Sequence, residues 1–309
     1  MKTICAFAPA TIGNVNVGFD VLGLTLSTIG DKVELSTNNT GENKITEIKN
    51  GPDLPFEADK NCCTVVVRNM QERLGRYLGV NVKINKGFAS GSGLGSSSAS
   101  SAAAAFAFNE LLDKPYKKEE LVAFAAEGER IASGSAHFDN VAPAILGGMV
   151  LVHDKDFVRL PLPENLYVVS LFLNIKINTS DARSILKNSV PLNILSKQVA
   201  NMGAFVASLY QKDIVMFSRS LNDFVVEPIR KLLIPGFDEM KQRALQNDAL
   251  TFGISGSGPS VFAIAQNKED ALNINSCLQK ICHDNGIQTQ SYVELLNNHK
   301  GACITNYCD

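Results

Sequence analysis

The sequence predicts a protein of mixed helices and strands folded as two units. Three observations carry this expectation. The chain has 309 residues, 45% of them hydrophobic, enough to bury a sizeable core and long for a single domain. Strand-like and helix-like stretches alternate along its whole length. Finally, Pro161-Leu162-Pro163 interrupts the pattern, and past it a second set of amphipathic stretches begins, giving units at 1–160 and 161–309. There is no internal repeat and no low-complexity segment.

From the start, Ile4 to Ala8 alternates as a strand and stops at Pro9. A polar, glycine-punctuated loop follows from Ala10 to Asp20, ahead of the apolar Val21-Leu22-Gly23-Leu24. Asn14, Asn16 and Asp20 in this loop either form local Asx turns or offer hydrogen bonds to a small polar ligand. Val33 to Ser36 reads as a strand and Asn38 to Asn50 as an exposed turn or hairpin. Cys63, Val67, Met70, Leu74 and Tyr77 stripe a core-facing helix, and Val82 to Ile84 forms the strand that leads into the next feature.

That feature is Gly91-Ser92-Gly93-Leu94-Gly95-Ser96-Ser97-Ser98, running into the strong helix formers Ala102 to Leu112. Alternating glycines permit unusual backbone angles and bring N–H groups close to a ligand, while a helix start leaves unpaired donors and a positive dipole end. Phosphate is the natural guest. The Lys-Ser/Thr ending of a Walker loop is absent, and Gly-x-Gly-x-Gly is not the dinucleotide pattern.

After Pro115, Lys117-Lys118-Glu119-Glu120 opens an amphipathic helix through Leu121, Phe124, Ala125 and Glu129 that ends near Ser133-Gly134. Glu127 and Glu129 are either solvated helix charges, or one of them, Glu129 first, is a magnesium ligand. Ala136-His137-Phe138-Asp139-Asn140-Val141-Ala142-Pro143 then sets polar groups among apolar ones, which requires partners or a ligand. Met149 to Val152 is a strand.

In the second unit Leu166 to Leu173 is a hydrophobic strand, and Thr179-Ser180 caps a helix that carries Arg183. Leu195, Val199, Met202, Val206 and Leu209 stripe a long helix; Ile214, Phe217, Leu221 and Phe224 stripe another before Glu227-Pro228-Ile229-Arg230 breaks the pattern. Arg183 and Arg230 either fork onto a carboxylate or end in surface salt bridges. Strands at Leu250 to Ile254 and Ser260 to Ala265 flank a glycine turn, Ser255-Gly256-Ser257-Gly258-Pro259, expected to face the first glycine loop. A helix from about Asp270 to His283, a strand at Ser291 to Leu295 and a polar tail complete the chain.

Composition excludes several function classes. With a net charge of −2 and no basic run interleaved with aromatics, nucleic acid is not an expected partner. No apolar stretch reaches the ~18 residues of a membrane span, and Met1-Lys2-Thr3-Ile4 does not open a signal peptide, so a soluble, cytoplasmic protein is expected. Seven cysteines without CxxC spacing point to reduced thiols instead of a disulfide framework or zinc site.

Three ordered stretches, Pro9 to Gly23, Gly91 to Ser97 and Gly253 to Pro259, together resemble the motifs of the GHMP kinases. Asn14 to Gly23, His137 to Pro143, Glu227 to Arg230 and Pro235-Gly236-Phe237 resemble the branch of that family that phosphorylates L-homoserine. The resemblance implies an α+β fold of two domains, an N-terminal nucleotide-binding domain and a C-terminal ferredoxin-like one, with the site between them. It implies transfer of the γ-phosphoryl group of ATP to the homoserine side-chain hydroxyl, on the route to threonine, and a homodimer. In its terms Gly91, Ser92, Gly93, Leu94, Gly95, Ser96, Ser97 and Ser98 wrap the phosphates, Asn61 meets the nucleotide, and Ser97 with Glu129 holds magnesium. Asn14, Asp20, His137 and Asn140 contact homoserine, Asn140 lying beside the nucleophile, and Arg183 with Arg230 grips the carboxylate. Asp139 stands where the mevalonate-phosphorylating members carry a catalytic aspartate, as base or as orienting group. Ala89 replaces a common proline and Ser98 is an extra serine, which leaves Ser96 beside Ser97 as candidate metal ligand, and Glu127 beside Glu129.

Overall fold

The computed structural model describes residues 2–297 and 300–306; Cys308 lies outside them. Strand β1 (Thr3–Gly13) pairs antiparallel along its length with β2 (Leu22–Thr37). The register shifts between Pro9 and Ala10, so the proline that was expected to end the first strand sits at a bulge, where its missing N–H costs the ladder least. The strand read at Val33 to Ser36 is the end of a 16-residue β2 that also takes in the apolar Leu22 to Leu24. Strand β3 (Lys44–Lys49) falls in the supposed exposed turn; a shift between Ile45 and Glu47 breaks its alternation and hides it from periodicity. It runs parallel to β4 (Val80–Asn85), which pairs with β2.

Hairpin strands β5 (Met149–His153) and β6 (Asp156–Leu160) extend from β2. The sheet packs on helices α1 (Cys62–Leu74), α2 (Ser96–Leu111), α3 (Lys118–Ser133) and α4 (Phe138–Leu146). Helix α2 is central and almost wholly buried. Its run Ala102 to Ala105 lets sheet and helices approach it closely, and Phe108 fills the far end.

A second sheet comprises β7 (Tyr167–Leu173), β8 (Thr251–Ile254), β9 (Val261–Ala265) and β10 (Thr289–Leu295), in the antiparallel order β10-β7-β9-β8. Between β7 and β8 run α5 (Thr179–Ser184), α6 (Leu192–Gln211), α7 (Ile214–Ser220), α8 (Glu227–Arg230) and α9 (Phe237–Gln246); α10 (Lys268–Asp284) joins β9 to β10. This is the β-α-β-β-α-β arrangement of a ferredoxin-like domain, as expected. Helix α9 was not read from sequence, because only Phe237, Met240 and Ala244 of its ten residues are buried.

The chain's end returns to the first sheet, where β11 (Cys303–Ile304) pairs with β1 through Ala6 and Phe7. The two halves also share a core: Ile12, Leu22, Leu24 and Leu26 pack in one cluster with Phe205, Leu209, Phe217 and Phe262. Among the described residues no helix is long and apolar enough to cross a membrane. Cys5 is disulfide-bonded, against the expectation of reduced thiols, whereas Cys62, Cys63, Cys277, Cys282 and Cys303 are free. Proximity in the fold, not CxxC spacing, decides such a bond.

Candidate active site

The glycine loop adopts the conformation its residues allow. Gly91, Gly93 and Gly95 all have left-handed φ, of 71°, 79° and 68°, and Gly95 caps α2 without a side chain, which leaves the first-turn N–H donors to a ligand. The second glycine turn does face this loop. Ser255 Oγ donates to the Gly93 carbonyl at 2.7 Å, the Ser260 N–H donates to the Ser92 carbonyl at 3.2 Å, and a Cβ on Gly93 would lie 2.6 Å from the Gly258 oxygen. Leu94 accepts from the Thr11 N–H at 2.9 Å.

Beside the loop opens a cavity of about 560 Å³. Of the expected cradle residues, Gly91, Gly93, Gly95, Ser96 and Ser97 line it, while Ser92 and Leu94 are buried behind it and anchor the loop through their carbonyls. Ser98 is also behind the wall, donating to Glu129 Oε2 at 3.0 Å. Asn61 lines the cavity as the N-cap of α1, accepting from the Cys63 N–H at 3.0 Å and donating to the Pro55 carbonyl at 2.8 Å.

The loop after β1 is strained: Asn14, Val15, Asn16 and Asp20 have φ of 69°, 42°, 59° and 60°. Asn14 lines the cavity, donating to the Gly256 carbonyl at 3.0 Å and accepting from the Asp20 N–H at 2.9 Å. Asn16 instead clamps the second domain, donating to Thr251 Oγ1 at 2.9 Å and to the Leu221 and Phe252 carbonyls at 3.2 Å. Asp20 forms an ion pair with Arg183 of α5. Arg230, buried, donates to the Ala182 carbonyl at 3.2 Å and the Gly256 carbonyl at 2.9 Å. Thus Arg183 meets the loop of the first domain, while Arg230 bonds α5 and the glycine turn of the second.

The acidic wall comes from α3 and α4. Glu129 is 4% exposed, and its Oε1 lies 2.9 Å from His137 Nδ1. Burial pulls its pKa upward, but hydrogen bonds from His137, Ser97 and Ser98 outweigh it and hold the carboxyl below the usual range. For His137 burial acts downward, and the Glu129 carboxylate reverses it, so the imidazole is more basic than usual. Glu127 pairs with Arg130 on the surface and does not line the cavity, so of the two glutamates Glu129 alone is placed there.

Asp139 and Asn140 sit in the first turn of α4 and line the cavity. They reach it because β1 ends and β2 begins at the paired glycines Gly13 and Gly23: a Cβ on Gly13 would lie 2.6 Å from Asp139 Oδ2, and one on Gly23 would collide with the Asp139 carbonyl. Asn140 Oδ1 accepts from Thr11 Oγ1 at 2.9 Å. Burial, augmented by the Asp20 and Glu129 charges and opposed by His137, pushes Asp139 up to about 6, and its buried Oδ1 has no partner among the described residues.

Sequence reasoning missed Lys86. Its ammonium, fully buried, pairs with Asp31 and donates to the Ser96 carbonyl and Ser100 Oγ at 2.9 Å, beneath the start of α2. Gly87 N–H and Ser100 Oγ complete the Asp31 carboxylate at 3.1 and 2.6 Å. Two charged residues 55 positions apart carry no local signal of such a pair.

Residues 61–148 match the GHMP kinases N terminal domain and residues 205–284 the GHMP kinases C terminal domain. The chain is 42% identical over 294 residues to the homoserine kinase of Chlorobium phaeobacteroides, covering 91% of this chain and 92% of that one. It is 35% identical to that of Xylella fastidiosa over 289 residues, 93% of this chain and 90% of the other. The crystal structure of a homoserine kinase from Cytophaga hutchinsonii superposes with a TM-score of 0.95 at 40% identity, covering 99% of this chain and 98% of that one. The Methanococcus jannaschii mevalonate kinase shares the fold, with a TM-score of 0.69 at 14% identity over 96% of this chain and 99% of the other. The chain belongs to the homoserine kinase branch of the GHMP kinase family.

Proposed function

We propose that the chain transfers the γ-phosphoryl group of ATP to the side-chain hydroxyl of L-homoserine, giving O-phospho-L-homoserine and ADP, in threonine biosynthesis. The observation that carries this reading is that one cavity is lined both by an anion cradle at a helix start and by Asp20, Arg183 and Arg230. Homoserine is a zwitterion with a remote hydroxyl. The arginines suit its carboxylate, Asp20 and Asn14 its ammonium, and His137 and Asn140 the region of the hydroxyl.

The cradle N–H groups of Gly91 to Ser98 would receive the phosphates, with Asn61 beside the nucleoside. The residues present also fit magnesium: Glu129 is anionic, Ser97 is next to it, and the buried Ser96 Oγ has no partner among the described residues. When bound, the ion would offset negative charge on the phosphate oxygens. Phosphoryl transfer passes through a loose transition state in which positioning and charge stabilisation dominate. Asn140, fixed by Thr11, orients the hydroxyl, and the unpartnered Asp139 Oδ1 is the acceptor for its proton.

Incubating the protein with magnesium-ATP and a panel of L-homoserine, L-threonine, L-serine, mevalonate and galactose, while following ADP release, tests the assignment. Turnover on L-homoserine alone is expected; turnover confined to another alcohol, or none, overturns it.

A further inference from the structure

The two arginines share a neighbour that no role above uses. Phe19 is half-buried at the end of the strained loop, and its ring centroid lies 5.7 Å from the Arg183 Cζ and 5.3 Å from the Arg230 Cζ. Both distances are within the range at which a guanidinium is attracted to an aromatic face. We propose that Phe19 is a positioning residue, a ring that holds the two guanidiniums at the spacing a substrate carboxylate requires while the substrate itself meets only the arginines. This rests on the reading of L-homoserine as substrate.

The physical need is specific. Two like charges brought to one end of a cavity repel, and Arg230 is less basic than usual because it is buried, with Asp20 opposing the change and the Arg183 charge adding to it. Asp20 pairs with Arg183. If Asp20 turns to the substrate ammonium, Arg183 loses its anionic protein partner, while the electron-rich ring face stays in contact with it. Arg230 has carbonyl partners, Ala182 and Gly256, but no carboxylate pairs with it among the described residues. Phe19 is the shared anchor, and it precedes Asp20 in sequence, so one turn presents both the carboxylate and the ring.

Steady-state kinetics of Phe19→Leu, Phe19→Tyr and wild type, with L-homoserine and its carboxamide as alternative acceptors, tests this. Leucine keeps the apolar bulk and removes the ring; tyrosine keeps the ring. Phe19→Leu is expected to raise the KM for L-homoserine roughly tenfold, leave kcat and the KM for ATP within about twofold, and narrow the preference for the carboxylate over the carboxamide. Phe19→Tyr is expected to stay near wild type. An unchanged KM in Phe19→Leu, or equal losses on both acceptors, overturns the proposal. If the leucine variant does not fold, Phe19→Met replaces it with the same criteria. Absence of wild-type turnover on L-homoserine overturns the substrate reading and this proposal with it; an active wild type with an unaffected leucine variant overturns only the latter.

Discussion

Arg183 on α5 and Asp20 on the loop after β1 form an ion pair that joins the two domains in the wall of the cavity. Both side chains are more than a third exposed, so the pair adds little to stability. Its meaning is occupancy: a zwitterion can replace each partner with a charge of its own. Arg183→Ala is therefore expected to raise the KM for L-homoserine roughly 30- to 100-fold, the value of a charged hydrogen bond, with the KM for ATP nearly unchanged. Kinetics with each substrate varied in turn decides it; equal effects on both would remove the assigned role.

Asp139 is a buried carboxyl that costs stability when ionised. Its folded pKa, about 6, lies above the ordinary 3.8, so the native state binds more protons than the unfolded chain between those values and loses stability as pH rises through them. Asp139→Asn should then be more stable than wild type above pH ~6, by roughly 3 kcal/mol, and no more stable near pH 3. It should also be catalytically impaired, and wild-type kcat should fall as pH drops below about 6. Urea unfolding at both pH values, alongside the pH–rate profile, checks the pair of expectations.

Lys86 and Asp31 bear on the fold beneath the cradle. Lys86→Met leaves the Asp31 charge buried without its cation and is expected to cost about 3–5 kcal/mol. Adding Asp31→Asn should recover part of that loss, because the orphaned charge is gone while Gly87 and Ser100 keep a partner. A double variant no more stable than the single, in denaturant titrations, would contradict this.

Gly95 combines φ of +68° with crowding: a Cβ there would collide with Thr11 Oγ1 and lie 3.1 Å from Asn140 Oδ1. Gly95→Ala is expected to weaken magnesium-ATP binding and lower kcat, each at least tenfold, by shifting both the cradle and the Thr11–Asn140 hydrogen bond. Calorimetric titration with a non-hydrolysable ATP analogue measures the first effect and turnover the second. Wild-type binding would show that the loop tolerates a side chain.

Much of this architecture was legible because its signals are local. The alanine-rich start of α2, the long α6 and the stripe from Cys63 announce themselves by period or propensity, although α1 stops at Leu74 and leaves Tyr77, read as part of that stripe, exposed beyond it. What escaped was non-local. Strand β3 and the continuous β2 carry bulges that break alternation; α9 buries too few residues to show a stripe; β11 exists only because β1 has a free edge for it. Asn14 and Asn16 are two residues apart and looked equivalent, yet one faces the cavity and the other clamps the second domain.

The sequence by itself determined the chemistry available: glycines that can cradle an anion, a carboxylate and serines for a hard cation, and two arginines and an aspartate for a zwitterion. Backbone freedom and side-chain charge are properties of single residues, so they can be read singly. Only the tertiary structure decided which of these groups meet. Glu129 rather than Glu127 enters the cavity because α3 turns that face inward. Lys86 finds Asp31 because β2 and β4 pair with Lys32 opposite Asn85, and Phe19 reaches both arginines because a shared core fixes the strained loop of one domain against the helices of the other. Hydrogen bonds and ion pairs fall off within a few ångströms, and distance in space is set by packing, not by position along the chain.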